Sequence, residues 1–194
     1  MSRRLFALLA LAVLVGVLVP AALAARVHVR VEGKTTTIFG ATEPVLGAPN
    51  ALDSLNAASL VGEFYVHVAA TAYGPYVDQI GLYHAAGSSG WTFKVNGVSA
   101  PVGADKVTLK NGDRVVWYWA TFGPSGGPPT LVLSRGKRAG CYRVVQQDDA
   151  GKTTATSGAV LHVDDRSVRG ACLGRHRGLV RATKTGAVRS NAVR

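Results

Sequence analysis

The run GWTFKVNG, residues 90–97, constrains the fold more than any other short stretch of this chain. Apolar and polar residues alternate from Trp91 to Val95, and the run ends on Asn96-Gly97. Strict alternation puts successive side chains on opposite faces of a β-strand. Asn-Gly is the strongest short signal for a type I′ hairpin, because both central residues of that turn need positive φ. The run therefore predicts a strand that ends in a tight turn.

One helix is predicted among the strands. Residues 51–62, ALDSLNAASLVG, place apolar residues at three-residue steps on one helical face, starting with Leu52 and Leu55. Asn50 is a suitable N-cap, and Gly62 suits a C-terminal stop. We expect one short helix with these bounds.

Strand and turn signals account for much of the remaining sequence. Residues 26–33, RVHVRVEG, alternate apolar and charged side chains, and residues 106–122 predict two strand pieces joined at Asn111-Gly112. The stretch GPSGGPP, residues 123–129, predicts a linker. Further strand candidates follow it at residues 130–134, 141–147, 159–165, 179–183 and 187–193.

The first 25 residues have the layout of a secretory signal peptide. Two arginines precede an apolar run that continues to Val19, and Pro20 and small residues follow at the spacing of a cleavage site. The run is about 15 residues long, which is short for a bilayer core about 30 Å thick, and a retained membrane anchor is the alternative. We expect a secreted or envelope-associated protein whose mature chain starts near Ala25 or Arg26.

The chain has two cysteines, Cys141 and Cys172. In an exported protein an even pair predicts one disulfide. Closing a loop of about 31 residues contributes about 3–4 kcal/mol in the chain-entropy model. A metal site is the less favoured alternative, because neither cysteine has a close second cysteine and His176 alone does not complete a ligand set.

Basic residues are concentrated in the last third of the chain. Residues 26–129 contain 7 Lys/Arg and 7 Asp/Glu, whereas residues 130–194 contain 13 Lys/Arg and 4 Asp, a net charge of +9. This asymmetry predicts attraction to an anionic partner. For an exported protein we expect an anionic envelope polymer or a membrane surface, and no specific nucleic acid; the alternative is a basic surface without a specific partner.

No catalytic or metal-binding constellation stands out in the sequence. Ser88 and Ser89 lie near glycines without a G-x-S-x-G elbow. Most histidines lie inside strand-like runs without a positioned acid–base partner. The Asp-Asp pairs near the C-terminus lack the calcium-loop pattern and suit turns. We therefore predict a protein that is not an enzyme and has no metal or cofactor.

Aromatic residues are the candidate ligand-binding groups. Large rings occur on both faces of the strand that ends near residue 122, because Trp117 and Trp119 share one face and Tyr118 takes the other. One face must cover the core, and the other can hold a planar ligand, a sugar or a peptide; alternatively all the rings fill the core. Trp91, beside the flexible AGSSG loop, is predicted to be the most exposed ring. The candidate ligand-binding residues are Tyr73, Tyr76, Trp91, Asn96, Trp117 and Trp119.

Three stretches, taken in order, resemble a known family. NALDSLNAA, YGPYVDQIGLY and GWTFKVNGVSAPVGADKVTLKNGDRVVWYW resemble the β-grasp family that includes the C-terminal domain of transcobalamin and intrinsic factor. Its bacterial members are mostly exported and are grouped as a domain of unknown function. In vitamin B12 carriers this domain caps the corrin ring, and a separate helical domain supplies the other half of the pocket. Over about residues 26–122 the resemblance implies an α+β fold, a β-grasp (ubiquitin-like) module with one helix, and a cobalamin-like ligand.

The end of the chain carries a second resemblance. GAVLHVDDRSV followed by GLVRATKTGAVRSNAV resembles the end of prealbumin-like or carboxypeptidase-regulatory-like β-sandwich modules. It implies a small antiparallel β unit after the β-grasp module. The predicted organisation is a signal peptide (1–25), a β-grasp domain (26–122), a linker (123–129) and a basic, disulfide-pinned β domain (130–194).

Two functions are compatible with these features. The first is an exported, non-enzymatic binding protein whose aromatic surface holds a small molecule, such as a corrinoid-like compound, or a glycan. The alternative is a cell-envelope interaction or structural protein that uses its basic C-terminal module on anionic polymers or a membrane surface.

Overall fold

The computed structural model describes residues 24–194. The predicted signal peptide, residues 1–25, lies outside the described residues except for its last two positions. None of the helical segments in the described part combines the length and the apolar character that a membrane crossing needs.

The described residues form mostly short strands. In chain order the elements are β1 (Ala25–Glu32), β2 (Thr37–Phe39), β3 (Val45–Ala48), α1 (Ala51–Gly62), β4 (Val66–Thr71), β5 (Gly74–Ile80), β6 (Tyr83–His84), β7 (Ser89–Val95), β8 (Val98–Ser99), a 3-10 turn (Ala104–Lys106), β9 (Arg114–Thr121), β10 (Thr130–Arg135), β11 (Tyr142–Gln147), β12 (Thr153–Ala155), β13 (Val160–Val163), β14 (Arg166–Arg169) and β15 (Arg181–Thr183). The sheets are one of six strands and three of three strands, β4-β5-β6, β10-β11-β12 and β14-β13-β15.

The six-stranded sheet places its first strand in the chain, β1, beside its last strand in the chain, β9. Its order is β2-β1-β9-β7-β8, with β3 also paired to β1. β1 and β9 are parallel, and the other pairs are antiparallel. A parallel pair needs a long crossover connection. Here that connection contains helix α1, which packs on one face of the sheet.

The predicted helix is confirmed in its bounds and its N-cap. The side chain of Asn50 accepts a hydrogen bond from the N–H of Asp53 at 2.8 Å. The helix ends at Gly62, and Glu63 takes the left-handed conformation that closes the C-terminus. Leu55 is fully buried in the core that the helix shares with the sheet.

The opposite face of the sheet is covered by the C-terminal part, residues 130–194. Tyr118 is buried on this face, and its burial, together with the charge of Asp149, raises the pKa of its hydroxyl well above the usual range. The charged side chains of Arg30, Glu32 and Lys94 are buried on the same face. Buried charges are stable only when they are paired or hydrogen-bonded, and each of the three has a partner from the C-terminal part.

Glu32 lies at the centre of the contact between the sheet and the C-terminal part. Its carboxylate accepts hydrogen bonds from Arg30 (3.1 Å), Arg181 (2.5 Å), Arg189 (3.0 Å) and Thr37 (2.9 Å). Burial lowers the pKa of the Arg181 guanidinium, and the neighbouring charge of Glu32 opposes that shift. The C-terminal part is therefore held against the sheet by an enclosed ionic cluster as well as by the chain connection.

The predicted fold class, an α+β β-grasp module with one helix followed by a small antiparallel unit, is wrong. The described chain is 49% strand and 9% helical, with one helix and several small sheets, so the fold is β-rich. The observed fold differs from the predicted one because the C-terminal part adds many strands and covers the second face of the main sheet. In β1 and β7, the charged residues that alternate with apolar ones do not face solvent, because Glu32 and Lys94 are enclosed.

Several local predictions have clear outcomes. The strand predicted at residues 90–97 is β7, and the turn after it is confirmed by φ values of 51° at Asn96 and 84° at Gly97. The first strand piece predicted within residues 106–122 is wrong, because the chain there starts in a 3-10 turn and only β9 forms. The strand predicted at residues 187–193 also does not form, since that segment makes only isolated bridges to β10 and Val180.

Lys94 forms a second buried link between the sheet and the C-terminal part. Its ammonium is fully enclosed and donates to the carbonyl oxygens of Gln147 (3.3 Å) and Asp148 (2.9 Å), and it pairs with the carboxylate of Asp149 at 3.1 Å. Lys94→Met should lower the free energy of unfolding by about 2–3 kcal/mol, because it leaves enclosed acceptors without a donor. Urea unfolding at pH 7 measures the loss. Lys106→Met, on an exposed lysine that pairs with Asp105, is the matched control and should change little.

The same link predicts a dependence of stability on pH. Burial alone would raise the pKa of Asp149, but hydrogen bonds from Lys94 and Ser99 and the charge of Lys94 outweigh it and hold that pKa below its usual value. A depressed carboxyl pKa stabilises the fold above the unfolded value of about 3.9, and this contribution disappears as the pH falls through the folded value. Because Asp149 is partly exposed, the effect should stay below about 1 kcal/mol. Asp149→Asn should reduce the loss of stability between pH 7 and pH 3, and an unchanged acid dependence would contradict this account.

Candidate functional site

The tryptophans of the main sheet form cross-strand pairs on its helix-covered face. Trp91 lies opposite Trp119, and Phe93 lies opposite Trp117. The ring centroids are 5.6 Å apart in the first pair and 4.9 Å apart in the second. Trp91 is 4% exposed and Trp117 is 2% exposed, so both rings belong to the core.

The prediction that Trp91 is the most exposed ring is wrong. Its indole N–H donates to the carbonyl oxygen of Tyr83 at 2.9 Å, and the Tyr83 ring packs against it with centroids 6.4 Å apart. The hairpin that carries Tyr83 therefore covers the end of the core where the sequence predicts an open loop. Trp117 is fixed in a similar way, since its indole N–H donates to the carbonyl oxygen of Ala51 at 3.2 Å.

The other predicted site residues lie on separate parts of the surface. Tyr73 is fully exposed at the turn between β4 and β5, and Tyr76 is partly exposed on β5. Asn96 stabilises its own turn, because its side chain bonds Asp113 (2.8 Å) and accepts from the N–H of Arg114 (2.9 Å). None of these three lines a cleft together with Trp119.

Trp119 lines an open cleft of about 540 Å³. We call it the Trp119 cleft; its walls come from residues 33–34, 119, 121, 123, 125–129 and 186–189. The ammonium of Lys34 lies 4.2 Å from the centre of the Trp119 ring and 5.2 Å from that of Tyr83, within the range of a cation–π contact. The cleft thus combines one accessible indole, one cation and a backbone-rich wall from the Gly/Pro segment.

A second cleft, of about 710 Å³, lies beside the disulfide. We call it the Arg-rich cleft; residues 135–142, 174–176 and 194 line it. Its cations are Arg135, Lys137, Arg138, Arg175 and Arg194, and the described residues that line it include no Asp or Glu. Five positive charges around one concave surface make it the strongest candidate for binding an anion in the described part of the chain.

The loops of the Arg-rich cleft are held together by covalent and hydrogen bonds. The predicted disulfide between Cys141 and Cys172 is confirmed. The Tyr142 hydroxyl and Nε2 of His176 are hydrogen-bonded at 2.5 Å across the two loops. The side chain of Arg135 donates to the main-chain oxygen of Arg194 at 2.6 Å, which holds Arg194 beside the first loop. The cations are therefore carried on linked loops.

The predicted site residues included Cys141 but none of the cations of the Arg-rich cleft, although a signal for these cations exists. The basic runs RGKR (135–138) and RHR (175–177) each lie within a few residues of a cysteine. A disulfide between those cysteines necessarily brings the two runs together. The described residues contain no group of three His, Cys, Asp or Glu side chains that could hold a metal ion.

Comparison with known families gives a match over part of the chain. Residues 50–121 match a family described as "Domain of unknown function (DUF4430)". The match runs from the N-cap of helix α1 to the end of β9, so it includes Trp119 and excludes the Arg-rich cleft. A search of curated proteins gives no match. The comparisons support similarity to a domain of unknown function and do not support the transcobalamin resemblance.

Proposed function

We propose that this chain is an extracytoplasmic, non-enzymatic binding protein that attaches to an anionic polymer of the cell envelope through the Arg-rich cleft. The observation that carries the proposal is the grouping of five cations, with no Asp or Glu among the described lining residues, on loops joined by a disulfide. Four of the five are arginines, whose planar guanidinium groups bind phosphate and carboxylate in a bidentate manner. The disulfide and the sequence of the first 25 residues support the extracytoplasmic location.

The electrostatics of the cleft predict how this binding responds to salt. Exposed charges attract a polyanion over a distance of about 10 Å at 0.1 M ionic strength, and this range shrinks as salt is added. Lys137, Arg138 and Arg175 are exposed, and their side chains make no ion pair within the described residues. Their charges are therefore available to a ligand, and their removal should not disturb the fold.

The test compares two triple variants with the same loss of charge. Lys137→Gln/Arg138→Gln/Arg175→Gln removes cations of the cleft, whereas Arg26→Gln/Lys110→Gln/Arg166→Gln removes exposed cations elsewhere. Affinity for polygalacturonate and for inorganic polyphosphate is measured at increasing NaCl. We expect the cleft variant to lose about tenfold in affinity at low salt, from about 0.5 kcal/mol per exposed ion pair, and the control to lose much less. Equal losses, or no binding by the natural chain at low salt, would overturn the proposal.

A second candidate function is supported by Trp119. Its ring lines a cleft within the matched region, and the resemblance to transcobalamin suggests a cap over a planar ring such as a corrinoid. The resemblance of the C-terminal part to prealbumin-like modules does not suggest a ligand. Equilibrium dialysis against cobalamin tests this candidate, and binding that survives in a Trp119→Ala variant would count against it.

A further inference from the structure

We infer that the Trp119 cleft binds a sugar ring that carries a carboxylate, so that the anionic polymer is an acidic polysaccharide. The inference rests on the proposed function, because it names the chemical class of the same polymer. A polyphosphate chain would satisfy the Arg-rich cleft equally well, but it has no ring to occupy a cleft lined by an indole. The two polymers are therefore expected to differ in whether they contact Trp119.

The three indole N–H groups differ in their hydrogen bonding. Trp91 and Trp117 each donate their N–H to a main-chain carbonyl inside the core. The indole N–H of Trp119 has no acceptor among the described residues, and it is not enclosed. Binding sites typically combine apolar surface with a few polar groups that fix the ligand's orientation. Trp119 offers both, since the part of its ring that lines the cleft can contact the C–H groups of a sugar while its N–H donates to a hydroxyl.

The Trp119 cleft is positively charged. Two cations line it, Lys34 and Arg189, and the described lining residues include no carboxylate. The Arg189 guanidinium is already bonded to Glu32 and to the carbonyl oxygen of Gly33, at 3.0 and 2.7 Å. Lys34 forms no ion pair within the described residues, and its ammonium rests on aromatic rings. Lys34, whose ammonium lies over the Trp119 ring, is thus the cation that a ligand carboxylate can pair with.

The segment of residues 123–129 contributes one wall of the Trp119 cleft. Glycines and prolines dominate this segment, and Gly123 and Gly126 exchange two main-chain hydrogen bonds of 3.0 and 3.1 Å. At Gly123, Gly126 and Gly127, which line the cleft, no side chain keeps a ring from approaching the main chain. The cleft volume of about 540 Å³ lies within the usual range for small-molecule sites of about 300–1,000 Å³.

Both clefts adjoin strand β10. Residues 188–194 run beside β10, from a parallel bridge between Thr130 and Val188 to the bond between Arg135 and Arg194. The Trp119 cleft lies at the first end and the Arg-rich cleft at the second. Six strand residues span about 20 Å. A polymer, unlike a single sugar, has the length to reach both ends.

The experiment uses three probes with the full chain: oligogalacturonate, its methyl ester, and inorganic polyphosphate. The ester keeps the ring without the charge, and polyphosphate keeps the charge without the ring. Binding is measured by titration calorimetry, and access to Trp119 by acrylamide quenching, since Trp91 and Trp117 are enclosed. We expect oligogalacturonate to protect the accessible indole from quenching, and polyphosphate to bind without protecting it. The ester should bind more weakly than the acid.

Two variants test whether oligogalacturonate binds at the Trp119 cleft. Lys34→Gln should weaken oligogalacturonate binding about fivefold and leave polyphosphate binding unchanged, and Lys110→Gln is the matched control. Trp119→Phe should abolish the protection from quenching and weaken the binding of oligogalacturonate. If oligogalacturonate and polyphosphate bind alike and neither protects the indole, the inference is overturned while the proposed function stands. If neither polymer binds at low salt, the proposed function itself fails.

Discussion

Replacement of Glu32 by glutamine should lower the free energy of unfolding by about 3–5 kcal/mol, because it removes the anion from an enclosed cluster of three guanidinium groups. The Glu32 side chain has no exposed surface, and it receives hydrogen bonds from Arg30, Arg181 and Arg189. Glutamine has nearly the same shape, so little packing is lost. The cost comes from leaving buried positive charges with less compensation, and Glu43 can pair only with the Arg30 side of the cluster.

The measurement is urea unfolding of Glu32→Gln and of a control, Glu63→Gln. Glu63 is exposed after helix α1 and forms no ion pair within the described residues, so the same chemical change there should cost less than about 0.5 kcal/mol. Because the cluster joins the sheet to the C-terminal part, the variant should also expose the linker region to limited proteolysis. Equal stability of the two variants would show that solvent reaches the cluster and that the contact between the parts is weaker than the geometry indicates.

The local structure of the first module could be predicted from the sequence because its signals are short-range. The cap at Asn50 and the turn at Asn96-Gly97 depend on residues within a few positions of each other. The same holds for the alternation that defines β7. The disulfide was predictable from the number of cysteines and the leader-like first segment, without knowledge of the fold.

The covered second face of the main sheet could not be predicted in this way. A strand in which Arg30 and Glu32 alternate with valines has the pattern of a half-exposed strand. Both residues are enclosed because Arg181 and Arg189, about 150 positions later, complete the cluster. Pairing over such a separation leaves no local pattern. This is also why the C-terminal part was predicted as a separate unit after a linker.

The candidate site was predictable only in part, for a related reason. Trp119 was among the predicted ligand-binding residues, but its exposure relative to Trp91 depends on where the hairpin with Tyr83 folds back. The Arg-rich cleft combines two predictions that the sequence supports separately, a disulfide and a basic C-terminal part. The two basic runs lie in one site because they flank Cys141 and Cys172, which the disulfide joins. The site is therefore predicted only when the disulfide and the positions of the basic runs are considered together.

Removal of the disulfide should have the second large effect. In a Cys141→Ala/Cys172→Ala variant the free energy of unfolding should fall by about 3–4 kcal/mol, because the bond closes a loop of 31 residues and restricts the unfolded chain. The same change should weaken polyphosphate binding, since the loop with Arg138 and the loop with Arg175 are then held only by hydrogen bonds such as the one from Tyr142 to His176.

Urea unfolding and salt-dependent binding of the double alanine variant measure the two effects separately. Reduction of the natural chain with a phosphine should reproduce both, whereas the double variant should not respond to the reductant. The double alanine variant keeps all five cations of the cleft, so a loss of affinity in that variant reports the positioning of the cations rather than their number. Full polyphosphate affinity in a folded double variant would show that the hydrogen bonds alone arrange the cleft, and that the disulfide contributes to stability without organising the anion site.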